Sequence, residues 1–400
     1  MSSPPTKAHR KNVDIEALRA FAILFTMVLH LRVLLPPGSS VHTLLQYMDL
    51  GVGVDLFLVI SGFVITGSLL DSTRDFHAPR RVLMFSFWIK RIFRLLPAAW
   101  TWVLIACLCQ LLITFVTDVH YDLADTLLRS AAALANVMNI YTPYCFANGG
   151  GDACILDNFI GHYWSLSLEE QFYLVFPLLF FFMGRRVLVA VLIIAIIVQF
   201  YWQRPFFSYP WYFKTDALCW GILLALAAKQ GLLSRLRPAV LNSGLPAALL
   251  GVLLLFALPL IAAHIQGIAS QMKPYGVAVV ALLCAIIVWL AAYDEGVFSL
   301  GRRYGQLMLY LGSRSYSLYL CHLVVYLSLR DLVGYYSPGL ALKVGPGVYA
   351  MLLILTAVAI TLACSELTYR YIETVFRARG RKLAERVARG GEQSQPPNRL

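Results

Sequence analysis

The chain has 400 residues, 59% hydrophobic and 14% charged, with a mean hydropathy of +0.70. Soluble domains carry about 25% charged residues, so the composition excludes a soluble enzyme with one anchor and leaves a polytopic membrane protein. The net charge of +12 sits in short loops between apolar runs, which is a topology signal, and nucleic acid is not an expected partner.

The polar start MSSPPTKAHRKN leads into the first apolar stretch, Asp14 to Leu35, with no small-residue cleavage site between. An uncleaved first helix is expected, long enough for the roughly 20 residues that a bilayer requires. It carries Arg19 and, eleven residues on, His30. That spacing returns a helix to within about 20° of its starting direction, with a rise of about 16 Å. A cation and an imidazole on one face of a membrane helix mark a substrate path or a reaction. The alternative is that Arg19 snorkels to the surface and His30 packs against a neighbouring helix.

Ten spans are predicted, at 15–35, 53–70, 97–117, 163–183, 187–201, 213–228, 243–264, 275–293, 307–329 and 348–368. The fold expected is an all-α integral membrane bundle. Leu123 to Tyr141, which contains Arg129, Asn136 and Asn139, reads as a helix lying on or dipping into the membrane. With the N-terminus inside, 24 Lys and Arg fall in inner segments and 7 in outer ones. Both termini are therefore expected in the cytoplasm, and an eleventh span at 123–141 would destroy the bias. The expected organisation is a tail at 1–13, a membrane domain at 14–376, and a basic tail at 377–400. That last tail reads as a membrane-surface helix followed by disorder.

In chain order, the second span places Asp55 near its outer end, with Ser61, Gly62 and Gly67 on a small-residue edge that permits close helix approach or simple packing. The inner segment FSFWIKRIFRLLPAAW reads as an interfacial amphipathic helix leading into a span started by Pro97. Its Arg91 and Arg94 are neighbours on one face and suit bidentate phosphate binding; ordinary positive-inside anchoring is the alternative. Cys145 and Cys154 flank a Gly-rich segment free of spans and are placed to close a disulfide in an oxidising compartment. No metal-ligand spacing is present.

The sharpest cluster is HYWSLSLEEQFYLVFPLL, from His162. Glu169 and Glu170 lie at membrane depth on different faces, which argues for function or a buried pair. Trp164, Ser165 and Ser167 belong to the same outer mouth. In FKTDALCWGILLA, Lys214 and Asp216 mark an outer helix start, where Asp216 favours the helix dipole. In SRSYSLYLCH, Ser313, Arg314 and Ser315 lie near the inner face, and His322 lies deeper, as a packing histidine or a second base.

Together these landmarks resemble the membrane-bound acyltransferase-3 family. The matching pieces are the first helix with Arg19 and His30, GVDLFLVISGFVIT, RIFRLLP, WSLSLEEQFYLVFPL, TDALCWGILLA, SYSLYLCH and YIETVFR, over about residues 14 to 376. Cys321 stands where tryptophan is common, and Thr374 where proline is common. The esterase-like domain that some members append is not expected here.

The resemblance implies transfer of an acyl group, commonly acetyl, from cytoplasmic acyl-CoA to a hydroxyl of a cell-surface, exported or lipid-linked glycan. The compartment implied is the bacterial inner membrane. On this reading His30, Glu169 and Glu170 are catalytic, with His30 as general base in a direct transfer and a glutamate orienting or tuning it; a covalent acyl intermediate on His30 or Ser165 is the alternative. Arg19, Arg91, Arg94 and Arg314 meet the acyl-CoA donor; Asp55, Trp164, Ser165 and His322 lie near the acceptor. No metal is expected. Two other readings stay open: acylation of a small hydrophobic acceptor such as a macrolide, and a transporter or flippase that uses the same intramembrane Arg, His and Glu.

Overall fold

The computed structural model describes residues 12–35, 39–154, 158–266, 275–299 and 301–393, and among these it is helical with no β-strand. The principal helices are α1 (Val13–His30), α2 (Val52–Asp75), α3 (Arg80–Val116), α4 (Leu123–Leu134), α5 (Met138–Ala147), α6 (Tyr163–Phe182) and α7 (Arg185–Tyr201). They continue with α8 (Thr215–Lys229), α9 (Gly244–Gln266), α10 (Gly276–Ala291), α11 (Gly301–Ser313), α12 (Ser315–Tyr336), α13 (Pro346–Thr368) and α14 (Thr374–Gln393).

Seven helices among the described residues are long and apolar enough to cross a membrane: α1, α2, α3, α6, α9, α12 and α13. The spans expected at 187–201, 213–228 and 275–293 are also helical, as α7, α8 and α10, with 17, 15 and 16 residues. At 1.5 Å per residue these rise about 23–26 Å, short of a hydrocarbon core of about 30 Å. The span expected at 307–329 is broken at Arg314, so α11 ends at Ser313 and α12 starts at Ser315.

Two expectations change along α3. Pro97 lies inside one unbroken helix of 37 residues instead of starting a new one. At about 56 Å this helix exceeds the hydrocarbon core, and its Arg-rich half packs against α6, with Arg80 donating to the Phe181 carbonyl and Trp88 to that of Tyr173, each at 3.1 Å. The basic tail, read from the sequence as a membrane-surface helix, is helical as α14 and is continuous with the span before it. A π-helical turn, Tyr369–Glu373, carries α13 into α14, which packs along the N-terminal half of α3. Ser86 donates to the Ala384 carbonyl at 3.1 Å, and Ala384 and Ala388 are fully buried. Residues 394–400, where disorder is expected, lie outside the described residues.

Segment 123–141 does not form one helix. It divides at Ala135–Val137, where Asn136 adopts a left-handed φ of 55°. Gln171 of α6 grips the break, donating to the Asn136 carbonyl at 2.9 Å and exchanging hydrogen bonds with Asn139. Beyond α5 the disulfide Cys145–Cys154 forms as expected.

Close approach of α2 and α8 depends on two glycines. A Cβ at Gly62 would lie 2.3 Å from the Leu218 carbonyl oxygen, and one at Gly221 would lie 2.1 Å from that of Val59. The small-residue edge read from the sequence is therefore a contact at Gly62, whereas a Cβ at Gly67 would meet nothing within 4 Å.

The N-terminus of α1 is locked by reciprocal capping. Asp14 is fully buried, and its carboxylate accepts from the backbone N–H groups of Gly296, Val297, Phe298 and Ser299 at 2.9–3.1 Å. Asp294 in turn accepts from Val13 N–H at 2.6 Å. This lock sets the depth and rotation of the helix that carries Arg19 and His30. Asp14→Ala orphans four donors and is expected to cost about 3 kcal/mol or more. Asp14→Asn, which keeps one acceptor oxygen, is expected to cost less. Thermal unfolding of the detergent-purified protein checks both, with a lower midpoint for alanine than for asparagine.

Candidate active site

A cavity, about 770 Å³ with the open solvent at its mouth included, opens into the bundle among α1, α2, α3, α6 and α12. Three guanidinium groups line it: Arg19 from α1, and Arg91 and Arg94 from the point where α3 enters the bundle. The Nε atoms of Arg91 and Arg94 are buried without a hydrogen-bond partner. Arg91 also lies over the rings of Phe87 and Tyr173, at 5.2 and 5.5 Å. Glu169 is the one carboxylate among the residues lining the cavity, and its Oε1 accepts from Ser61 and Tyr173. Glu16, outside the lining, pairs with Arg19 at 3.4 Å. Positive charge thus outweighs negative, and two guanidiniums retain buried, unused donors. An anion with several acceptor oxygens, such as a phosphate ester, satisfies such a site.

Ser165 and Tyr319 also line the cavity. The Tyr319 hydroxyl donates to the His162 carbonyl at 2.6 Å and lies 2.6 Å from Ser165 Oγ. One helical turn further along α12 lies a cluster of three imidazoles. His30 Nδ1 is 2.9 Å from His322 Nε2. The His162 ring centre is 5.0 Å from that of His322 and 6.4 Å from that of His30. His322 is fully buried, His162 nearly so, and His30 is half-buried. His30 does not line the cavity, and the Tyr319 ring packs against His162 at 5.0 Å.

The residues singled out in the sequence therefore separate into groups. Arg19, Arg91, Arg94, Glu169 and Ser165 share the cavity, and His30 and His322 share the imidazole cluster. Glu169 bonds to Ser61 and Tyr173, so the side chain that meets the His30 ring is His322 and not a glutamate. Glu170 is half-buried and outside the cavity lining. Arg314 is also outside it. Its guanidinium lies 3.8 and 4.3 Å from the Tyr310 and Tyr369 ring centres and pairs with both oxygens of Glu366.

Asp55 is fully buried against Lys214, 3.2 Å away. Asp216 makes a two-pronged pair with Arg204, at 2.8 and 3.0 Å, and so does more than favour a helix dipole. The Lys214 ammonium sits 4.4 Å from the Trp211 ring centre, and Trp164 packs on Trp211 and Tyr212.

His162 and Tyr319 were not selected from the sequence, although spacing points to both. Positions 162, 165, 169 and 173 form one stripe of α6 and its entry turn, and 319 and 322 are neighbours on α12. Tyr173 falls on the same stripe.

A family profile described as an acyltransferase domain matches residues 12–366. The O-acetyltransferase OatA of Staphylococcus aureus strain NCTC 8325 / PS 47 is 26% identical over 398 residues, covering 92% of this chain and 57% of the relative. OatA of strain COL gives the same figures. The chain thus spans little more than half the length of these curated relatives. No solved structure matches it. With seven membrane-length helices among the described residues and a family match over residues 12–366, the chain belongs to the acyltransferase-3 family.

Proposed function

We propose that the protein is a membrane O-acetyltransferase, carrying an acetyl group from acyl-CoA on the cytoplasmic side to a hydroxyl of a glycan on the other side of the bacterial inner membrane. The observation that carries this reading is the convergence of Arg19, Arg91 and Arg94 on a cavity lined also by Tyr319, one turn of α12 before His322, whose ring meets His30. The excess of Lys and Arg at that end of the bundle supports a cytoplasmic position for it. The relatives' name supplies the reaction class, O-acetyl transfer, and the guanidiniums suit the phosphates of a CoA donor.

In this mechanism the arginines hold the donor phosphates, and the thioester points toward Ser165 and Tyr319. Tyr319 must swing aside for the carbonyl to reach the imidazoles. His30 then takes the proton from the acceptor hydroxyl as its oxygen attacks the thioester carbonyl. The C–S bond breaks, and the imidazolium of His30 protonates the departing thiolate. Transfer is direct, with no acyl group left on the protein.

The test is acetyl delivery by proteoliposomes containing the purified protein, given labelled acetyl-CoA outside and a lipid-linked glycan extract as acceptor. CoA release together with alkali-labile label on the glycan is expected. Mass spectrometry of surface glycans from cells with and without the gene should show acetyl esters that disappear with it. Movement of glycan across the bilayer without ester formation would instead identify a flippase.

A further inference from the structure

We infer that His322 is the positioning residue for His30, fixing the tautomer in which His30 Nε2 is the free base. The inference rests on the reading of His30 as the proton acceptor. His322 Nδ1 lies 2.7 Å from the Tyr319 carbonyl oxygen and 3.1 Å from that of Leu318. Carbonyl oxygens only accept, so Nδ1 carries the hydrogen, and in a neutral ring Nε2 is then a bare lone pair. That lone pair faces His30 Nδ1 at 2.9 Å. One of two facing nitrogens must supply the hydrogen, so His30 Nδ1 is protonated and its Nε2 is unprotonated. A chain of two hydrogen bonds thus runs from the α12 backbone to Nδ1 of the ring whose Nε2 reacts.

The arrangement does the work that a carboxylate does in a Ser-His-Asp triad, holding the imidazole in one tautomer and one rotation. A carboxylate beside His30 would have to be desolvated, because His322 and Tyr319 are buried and the neighbouring His162 is nearly so. A neutral imidazole avoids that cost. When His30 takes up a proton, its Nδ1–H bond to His322 becomes charge-assisted and strengthens. The stabilisation therefore grows toward the transition state. His162 does not share this role, since its ring centre is 6.4 Å from that of His30.

The test uses membrane vesicles from cells lacking the gene and expressing wild-type protein, His322→Phe, His322→Gln or His30→Ala, supplied with labelled acetyl-CoA. His322→Phe is expected to lower the transfer rate at saturating acetyl-CoA about 100-fold, with KM for acetyl-CoA changed less than about twofold because the arginine cavity is separate. His322→Gln offers an amide oxygen near the position of Nε2 and is expected to recover at least about tenfold of the loss, as an orienting acceptor should.

Nitrogen-15 spectra of histidine-labelled protein, assigned with the His30 variant, should show His30 protonated at Nδ1 in the wild type. Finding it protonated at Nε2 overturns the inference whatever the activities. Wild-type rate in His322→Phe, with His30→Ala inactive, overturns it while leaving His30 as the base. Equal loss in His322→Phe and in a folded His322→Gln also overturns it, leaving a purely steric role. Transfer that persists in His30→Ala overturns the underlying mechanism instead. If His322→Phe fails to fold, the glutamine variant and the wild-type spectrum still decide the matter.

Discussion

His30→Ala is expected to lower acetyl transfer by about 10³-fold or more while leaving acetyl-CoA binding unchanged. General acid–base groups contribute about 10² to 10⁴, and in the proposed mechanism one imidazole serves twice, first on the acceptor hydroxyl and then on the thiolate. Binding is expected to survive because the arginines proposed to hold the donor line the cavity and His30 does not. Isothermal titration with acetyl-CoA on purified protein, run beside the vesicle assay, separates the two effects. A variant of normal abundance that transfers at the wild-type rate would remove His30 from the mechanism. One that loses binding and transfer together would mean that the histidine shapes the donor cavity.

The parts of this site legible in the sequence are those fixed by position along a single helix. Arg19 and His30 share a face because eleven residues is close to three turns, and Arg91 and Arg94 share one because three residues is less than one turn. Hydropathy found the helices, because burial in lipid imposes its demand locally. The partners of each group were not legible. Glu169 bonds to Ser61, 108 residues away, and His30 meets His322, 292 residues away. Such pairings depend on how helices rotate against one another, which hydropathy does not record.

Arg314 illustrates the same limit. In sequence it is one more inner arginine beside a family motif. In the fold Glu366 and two tyrosine rings occupy it. Its neighbour Ser315 lines the cavity. The breaks were also hidden. Pro97 signals a helix start, yet α3 runs through it, because a proline in the interior of a long helix is tolerated when neighbouring helices hold both halves. Here Tyr163 bonds to the Ala99 carbonyl on one side of Pro97 and Tyr316 to the Leu95 carbonyl on the other.

Arg91→Ala with Arg94→Ala should weaken acetyl-CoA binding by about 10² to 10⁴. A hydrogen bond to a charged group contributes about 1.5–3 kcal/mol, so two lost contacts amount to about 3–6 kcal/mol, and each 1.4 kcal/mol is tenfold in Kd. Lysine at both positions is expected to recover only part of the loss, since an ammonium keeps the charge but lacks the planar fork and the Nε donor that is left unused at Arg91 and Arg94. Arg314→Ala is the informative control. With its guanidinium committed to Glu366, it should leave Kd for acetyl-CoA within about twofold and lower the thermal midpoint instead. Dephospho-CoA, compared with CoA on the wild type and on each single variant, then shows which arginine meets which phosphate. Equal affinity of the double variant and the wild type for acetyl-CoA would leave the cavity without a donor and return the intramembrane arginines to a transport path.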